Sequence, residues 1–245
     1  MPRPLHIACL QTRPMAGFQP ALDEAIGLAE EAVSAGAEII FLPEYCGGLR
    51  TEDGRLAPPV SEEADHPVLQ GLRDWCAGAG VWLNIGSIAV RGPSPEKFIN
   101  RGYMIDPEGN IAGRYDKIHL FDVDLGPGLT YRESATVAPG NEAVTHDTPK
   151  VRIGHAICYD LRFPALFHRL AREGADILCC PAAFTKLTGE AHWHILNRAR
   201  AIETTRFMVS ACAVGPVPGG GETYGHSLFV DPGVMFSPMA GTHQA

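Results

Sequence analysis

Residues 151–164, VRIGHAICYDLRFP, form the stretch on which the fold of this chain depends. Their first half is apolar and β-branched, which predicts a buried strand that ends at Cys158. Pro164 suits the first turn of a helix that follows. A cysteine at such a junction lies beside free backbone N–H groups and the positive end of a helix dipole, and both favour a thiolate. Cys158 is therefore a candidate nucleophile, with a small buried core residue as the alternative.

Strands and helices alternate on both sides of this stretch. The predicted elements, in chain order, are strand 5–10, helix 21–36, strand 37–43, helix 67–77, strand 81–90, hairpin strands 100–105 and 110–115, helix 164–173, strand 175–181, helix 190–206, strand 207–214 and strand 225–231. The segment 47–66 is polar and is predicted to be a loop over the site. This alternation indicates an α/β protein with βαβ units, in which ligands bind beyond the carboxyl ends of the strands.

Composition excludes several classes of partner. The chain has 245 residues, of which 45% are hydrophobic, and this is enough for a sizeable core. The net charge of −8 argues against nucleic acid as a partner. No apolar run has the length of a membrane span, so we expect no membrane partner. The seven cysteines are odd in number and lie mostly in apolar runs, which predicts reduced thiols and a cytoplasmic location.

Three reactive side chains follow the ends of three predicted strands: Glu44, Lys117 and Cys158. A carboxylate can take a thiol proton, the thiolate can attack a carbonyl or nitrile carbon, and an ammonium group can stabilise the oxyanion. Lys117 alone is more typical of a solvated loop. Because strand ends that share one edge of a sheet meet in space, the three together predict one catalytic site.

The motifs around these residues, FLPEYCGG, GRYDKIHLFD and GHAICYDLRFP, resemble those of the nitrilase superfamily of carbon–nitrogen hydrolases. The motifs occur in the family's order and spacing, and the resemblance covers nearly the whole chain. It implies a four-layer α-β-β-α sandwich, residues 1–245 as a single carbon–nitrogen hydrolase domain, and a Glu-Lys-Cys catalytic set without a cofactor. On these positions Glu44 is the general base, Lys117 the oxyanion stabiliser and Cys158 the nucleophile.

The same resemblance implies supporting residues. Glu133, in TYRES, matches a glutamate that positions the substrate and orients the lysine. The segment PAAFTKLTGEAHWHILNRARAIET is similar to omega-amidases and deaminated-glutathione amidases, in which Phe184 and Thr185 line the pocket, and RARAIE favours the second group. The backbone N–H of Tyr159 is expected to hold the oxyanion together with Lys117.

Other polar residues are weaker candidates. We expect Arg162 to be a structural salt-bridge partner behind the site rather than a substrate contact, because arginine is seldom buried unpaired. His192 and His194 lie two apart on a predicted helix and point to different faces, so we expect no metal site. Cys179 and Cys180 lack the spacing of a redox pair, which indicates core packing.

The sequence therefore favours a homodimeric, cytoplasmic amidase that acts on a small carboxylate-bearing amide. A nitrilase or an N-carbamoyl amino acid hydrolase with the same Glu-Lys-Cys set is an alternative, and so is a member that binds a small molecule or a partner without turnover. Residues 234–245, VMFSPMAGTHQA, show little periodicity. From them we expect a chain that lacks the family's usual C-terminal strands and arm, with a weaker dimer.

Overall fold

The computed structural model describes residues 4–126 and 130–233 together with the backbone of Phe236–Ser237. In this part of the chain the α-helices are Phe18–Ser34 (α1), Pro67–Ala79 (α2), Pro164–Arg172 (α3) and Lys186–Thr204 (α4). Short 3-10 turns occupy Glu63–Asp65, Glu133–Ala135 and Cys158–Arg162.

Most of the strands are short, with two to four residues. In chain order they are Ile7–Cys9 (β1), Ile39–Phe41 (β2), Thr51–Glu52 (β3), Arg55–Leu56 (β4), Trp82–Arg91 (β5), Phe98–Ile105 (β6), Ile111–Asp116 (β7), Asp122–Asp124 (β8), Thr130–Arg132 (β9), Val137–Ala138 (β10), Thr145–Asp147 (β11), Arg152–His155 (β12), Ile177–Cys179 (β13), Phe207–Ser210 (β14), Val214–Pro216 (β15), Glu222–Tyr224 (β16), Leu228–Val230 (β17) and Phe236–Ser237 (β18).

Within the described residues, the main strands form two six-stranded sheets. The first has the order β1-β2-β5-β6-β10, with β7 paired to β6, and the second has the order β11-β12-β13-β14-β17-β18. In the first sheet β1, β2 and β5 are parallel and connected through α1 and α2. In the second, β12, β13 and β14 are parallel and connected through α3 and α4. Each sheet therefore presents the carboxyl ends of three parallel strands at one edge.

Apolar side chains fill three successive layers between these elements. One cluster joins α1 and α2 to the first sheet and includes Ala25, Leu72 and Leu83. A second cluster packs the two sheets face to face and includes Phe41. A third joins α3 and α4 to the second sheet and includes Trp193. The predicted four-layer α-β-β-α sandwich is confirmed.

Helix α4 begins at Lys186, four residues before the predicted start at residue 190. The prediction was wrong because Thr188 and Gly189 are weak helix formers. Packing overrides this preference, since a Cβ at Gly189 would lie 2.3 Å from the ring of Tyr224. The early start of the helix also makes Thr185 its N-cap residue.

Two further expectations concern the ends of elements. The predicted loop over 47–66 contains a small hairpin, β3–β4. The expectation of missing C-terminal strands falls on residues 234–245, of which the structure describes only β18, a two-residue strand paired antiparallel to β17. The rest of that segment lies outside the described residues. Among the helices that are described, none combines the length and the apolar character needed to cross a bilayer.

A charged network attaches the 47–66 loop to the first sheet. Glu63 accepts hydrogen bonds from Arg114 at 2.7 Å, from Arg101 at 2.8 Å and from the Tyr103 hydroxyl at 3.0 Å. The Arg114 guanidinium is the main cause that lowers the pKa of Glu63 from 4.5 to about 2, against the opposing effect of burial. A carboxylate with a lowered pKa stabilises the fold above its unfolded-state pKa and loses this effect as the pH falls towards its folded-state pKa.

Replacing Glu63 with Gln is therefore expected to reduce the free energy of unfolding at neutral pH by about 2 kcal/mol, once partial exposure is allowed for. The difference from the unsubstituted protein should narrow as the pH falls from 4.5 towards about 2. Urea unfolding across this pH range measures the effect. Glu62→Gln is the matched control, because among the described residues the Glu62 side chain makes only an exposed ion pair, with Arg91. Equal effects of the two substitutions would contradict the assignment.

Candidate active site

Glu44 lies just beyond the carboxyl end of β2. The strand stops at Phe41, and Leu42 and Pro43 lead to the glutamate. Gly86 of β5 allows the two segments to approach, because a Cβ on Gly86 would lie 2.0 Å from the carbonyl oxygen of Leu42. This close approach buries the Glu44 side chain, which is 3% exposed.

Lys117 directly follows β7 and brings an ammonium group to two carboxylates. Its Nζ donates a hydrogen bond to Oε1 of Glu44 at 2.9 Å and to both carboxylate oxygens of Glu133, at 3.0 and 2.9 Å. Burial by itself would lower the pKa of Lys117, but the charges of Glu133 and Glu44 outweigh burial and hold this pKa well above its usual value. Lys117 is thus a fixed positive charge between two acids.

Further donors hold the Glu44 carboxylate in place. Asn100, on β6, donates from Nδ2 to Oε1 at 2.9 Å, and the backbone N–H of Ala183 donates to Oε2 at 2.8 Å. Ala183 belongs to the segment that follows β13 in the second sheet. The general-base candidate is therefore hydrogen-bonded to groups from both sheets.

Glu133 begins a 3-10 turn and is 6% exposed. Its carboxylate accepts hydrogen bonds from the Phe121 backbone N–H at 2.6 Å and from the Tyr45 hydroxyl at 3.3 Å. Tyr45 itself has a left-handed backbone, with φ of 55°, and its N–H donates to the hydroxyl of Ser87 at 3.0 Å. These contacts bring the predicted supporting glutamate into the same cluster as Lys117.

Cys158 reaches this cluster from the second sheet. Its backbone N–H donates to the carbonyl of Pro181 at 2.8 Å, two residues before the Ala183 that binds Glu44. The expectation that the strand runs up to Cys158 was wrong, since β12 ends at His155. Cys158 instead opens the 3-10 turn Cys158–Arg162 with a left-handed φ of 50°. This conformation breaks the strand and costs a non-glycine residue on the order of 1–2 kcal/mol.

The surroundings of Cys158 favour the thiol over the expected thiolate. Helix α3 begins only at Pro164, so its dipole does not act directly on the sulfur. Burial, and then the negative charge of Glu44, raise the pKa of Cys158 well above its usual value, although the Lys117 ammonium acts in the opposite direction. The charges of Glu44 and Lys117 therefore both act on the Cys158 sulfur and change its pKa in opposite directions.

Arg162 does not form the predicted salt bridge. No carboxylate lies within salt-bridge distance of it in the described part of the chain. Its guanidinium lies 5.7 Å from the ring centroids of both Tyr159 and Phe184, and one of its nitrogens is 3.2 Å from Nδ1 of His192. Arg162 is a partly exposed cation beside two aromatic residues predicted to line the pocket, because the turn carries it outward rather than into the core.

The remaining predicted pocket residue, Thr185, precedes α4. Its hydroxyl is 2.8 Å from the hydroxyl of Thr188, one turn into the helix. The neighbouring Lys186 is exposed and bound through Nζ to both carboxylate oxygens of Glu222, each at 3.0 Å. Lys186 therefore has a carboxylate partner, whereas Arg162 has none among the residues described.

Comparison with known proteins bears on the interpretation of this cluster. The Carbon-nitrogen hydrolase family profile matches residues 6–244. This chain belongs to the carbon-nitrogen hydrolase family.

Individual relatives agree with this assignment. A protein from Yersinia enterocolitica named deaminated glutathione amidase is 45% identical over 81% of this chain and 70% of its own length. Human omega-amidase NIT2 is 33% identical over 90% of this chain and 79% of its own. The structure of Saccharomyces cerevisiae Nit3, described as a member of branch 10 of the nitrilase superfamily, superposes with a TM-score of 0.78 at 26% identity, over 93% of this chain and 82% of that chain. The predicted nitrilase-type fold and superfamily are confirmed, and the chain is a hydrolase of carbon–nitrogen bonds.

Sequence reasoning for this carbon-nitrogen hydrolase missed two residues of the cluster, Asn100 and Tyr45, and one residue of the Cys158 turn, Asp160. Asn100 was predicted only as the start of a hairpin strand, and nothing local distinguishes it from other strand asparagines. Tyr45 follows Glu44 directly, but its left-handed backbone is invisible in the sequence. Asp160 does have a sequence signal, since it is an acidic residue two positions after the nucleophile candidate, at the end of an apolar run.

The charge arrangement predicts opposite effects of one substitution on two reactions. The Glu44 charge raises the pKa of Cys158 and the Lys117 charge lowers it. Glu44→Gln should therefore lower this pKa and speed the labelling of Cys158 by iodoacetamide at mildly alkaline pH, on the order of tenfold. The same substitution should abolish turnover that needs a general base. Mass spectrometry of the labelled peptide gives the rate. Asn100→Asp is a matched control that adds negative charge beside the same carboxylate and should slow labelling. A slower reaction in Glu44→Gln would contradict the charge assignment.

Proposed function

We propose that this chain is a cysteine-dependent amidase that hydrolyses the C–N bond of a small carboxylate-bearing amide through a thioester intermediate. The observation that carries the proposal is the buried cluster in which Lys117 lies 2.9 Å from each of two carboxylates, within electrostatic reach of the Cys158 thiol. A base, an oxyanion stabiliser and a nucleophile are the groups that acyl transfer from an amide needs.

In the first half of the reaction, Glu44 removes the thiol proton as the sulfur of Cys158 attacks the amide carbon. The oxyanion that forms is held by the Lys117 ammonium and by the Tyr159 backbone N–H, which lies in the first turn of a 3-10 segment where N–H groups lack partners within the turn. Protonated Glu44 then gives its proton to the leaving nitrogen. Ammonia or an amine departs and a thioester remains on Cys158.

In the second half, Glu44 takes a proton from a water molecule as the water oxygen attacks the thioester carbon. The same two donors hold the second oxyanion. Collapse of this intermediate releases the carboxylic acid, and the proton on Glu44 returns to the Cys158 sulfur. Glu133 takes no proton in this scheme. It fixes Lys117 through two hydrogen bonds, so that the ammonium is already in place when negative charge develops.

An ammonia-release assay with a panel of amides, carbamoyl amino acids and nitriles tests the reaction. Replacing Cys158 with Ala is expected to abolish release, by at least roughly a thousandfold, because no other group can form the covalent intermediate. The matched control is Cys76→Ala, which removes a buried thiol from α2, and it should change turnover by less than about threefold. Residual turnover of an amide by Cys158→Ala at the control's rate would reject the mechanism. Turnover of nitriles or carbamoyl compounds instead of amides would correct the substrate class.

The carboxylate on the substrate is proposed to bind Arg162. Two relatives are named after amidases of deaminated glutathione and of omega-amides. Arg162 is the cation beside Tyr159 and Phe184, and a guanidinium can bind a carboxylate through two parallel hydrogen bonds. Lys186 is less suited to this role because it is engaged with Glu222.

Arg162→Gln should lower kcat/KM for a carboxylate-bearing amide on the order of thirtyfold and leave its methyl ester almost unaffected. The matched control Lys186→Gln should change neither value by more than about twofold, since its ion pair is exposed. Steady-state kinetics on the acid and ester pair measures both. An equal loss for acid and ester would exclude Arg162 as the carboxylate contact.

We further propose that the chain forms a homodimer through α4, in the cytoplasmic location that its cysteine content predicts. Leu187, Ile195 and Ile202 are 55%, 68% and 56% exposed. Their spacing of eight and seven residues places them on one face of the helix. Two copies of α4 packed antiparallel about a two-fold axis would set Leu187 of one protomer against Ile202 of its partner, with Ile195 near the axis. An exposed apolar stripe of this kind is typical of an interface.

Ile195→Glu is expected to convert a dimer to a monomer in sedimentation velocity, because it buries charge at the proposed axis. Leu125→Glu is the matched control, since Leu125 is 40% exposed and lies outside α4. Dimer formation that survives Ile195→Glu would place the interface elsewhere.

A further inference from the structure

Asp160 is a fully buried carboxylate that the catalytic scheme does not use. Counting the described residues, it accepts four hydrogen bonds. Oδ2 accepts from the Ile157 backbone N–H at 2.8 Å and from the Tyr115 hydroxyl at 2.7 Å. Oδ1 accepts from the His119 backbone N–H at 2.9 Å and from His119 Nδ1 at 2.6 Å. Nδ1 is assigned as the donor because an ionised carboxylate can only accept.

The donors belong to two different parts of the fold. Tyr115 lies within β7 of the first sheet, two residues before Lys117, and His119 lies two residues after Lys117 on the segment that leaves this strand. Asp160 lies two residues after Cys158, in the turn that leaves β12 in the second sheet. Three of the four hydrogen bonds therefore join the segment that carries the ammonium group to the turn that carries the thiol.

The fourth hydrogen bond acts within the cysteine turn itself. The Ile157 N–H binds the Asp160 carboxylate, and the Asp160 N–H binds the Ile157 carbonyl at 3.1 Å. These reciprocal contacts enclose Cys158, whose left-handed backbone persists only where its surroundings fix it. The same carboxylate thus fixes the conformation of the cysteine and its position relative to the lysine segment.

We propose that Asp160 is a positioning residue for amide hydrolysis: its carboxylate clamps the Cys158 turn to the Tyr115–His119 segment and so sets the separation of the nucleophile and the Lys117 ammonium. The inference rests on the proposed function. The clamp requires a carboxylate at this position, because donors face both of its oxygens. An amide in its place would point its NH₂ group at one or more of these N–H donors and lose those hydrogen bonds. Displacements of about 1 Å in such an arrangement cost on the order of a hundredfold in rate.

The first experiment compares Asp160→Asn with Ser210→Ala. Ser210 donates a buried hydrogen bond to Asn197 at 2.6 Å within the second sheet and α4, so its loss costs stability without touching the clamp. Asp160→Asn should lower kcat on the order of a hundredfold with KM within about threefold, because oxyanion stabilisation acts only in the transition state. Ser210→Ala should retain kcat at temperatures where both variants are folded. An Asp160→Asn enzyme that is folded and retains kcat would overturn the proposal.

A milder variant keeps the test decisive if Asp160→Asn fails to fold. Tyr115→Phe keeps the aromatic ring and removes one of the three hydrogen bonds between the two segments. It should lower kcat on the order of fivefold to tenfold, with KM unchanged. Tyr115→Phe with the kcat of the unsubstituted enzyme would count against the clamp.

Iodoacetamide labelling of Cys158 separates this proposal from the proposed function, because it requires no substrate. If the clamp holds Lys117 near the sulfur, weakening the clamp by Tyr115→Phe should move the pH midpoint of Cys158 labelling upward. The reason is that the Lys117 charge favours the thiolate. A purely structural loosening would raise the labelling rate at every pH and leave the midpoint unchanged, and that result would overturn the proposal. The proposed function would be rejected and the clamp retained if two results are found together. The unsubstituted enzyme would hydrolyse no amide, and Tyr115→Phe would still shift the pH midpoint of labelling.

Discussion

The ammonium group of Lys117, held between Glu44 and Glu133, is the interaction on which the site depends. Three charges share a buried space, and such an arrangement is tolerated only when each group has partners of opposite charge and further hydrogen bonds. Asn100, Ala183 and Phe121 supply those hydrogen bonds from separate segments. The charge requirement of the site and the packing of the fold are therefore satisfied by the same contacts, and removal of one acid would leave a buried charge without one of its partners.

The two sheets explain how residues distant in sequence come to share this space. In each sheet, parallel strands with helical crossovers point their carboxyl ends to the same edge, and the sheets pack face to face through the cluster that contains Phe41. Glu44 and Lys117 come from the first sheet, and Cys158 from the second. The segment after β13 then joins them, because Pro181 binds the Cys158 backbone and Ala183 binds Glu44.

Strand ends and reactive residue types were predictable because buried strands have a strong apolar signature and ligand sites lie beyond them. Glu44 and Lys117 could therefore be identified from the sequence, Glu133 followed from the family resemblance, and the three do meet. The conformation of Cys158 could not be predicted, since a left-handed residue that opens a 3-10 turn leaves no trace in a pattern of apolar residues. The surroundings of Arg162 depend on where that turn points its side chain. Asn100 and Asp160 act through hydrogen bonds between distant segments, which local periodicity does not encode.

The raised pKa of the Cys158 thiol affects how the sulfur reacts with oxidants and electrophiles. Peroxides and electrophiles react with thiolates far faster than with thiols, and oxidation beyond the sulfenic acid is not readily reversed. A sulfur whose pKa is raised by burial and by Glu44 presents little thiolate to such reagents while the site is empty. In the proposed mechanism, nucleophilic reactivity arises when a bound carbonyl accepts the electron pair as Glu44 accepts the proton. In that mechanism, the carboxylate that raises the pKa of the thiol in the empty site is also the base that takes the thiol proton during attack.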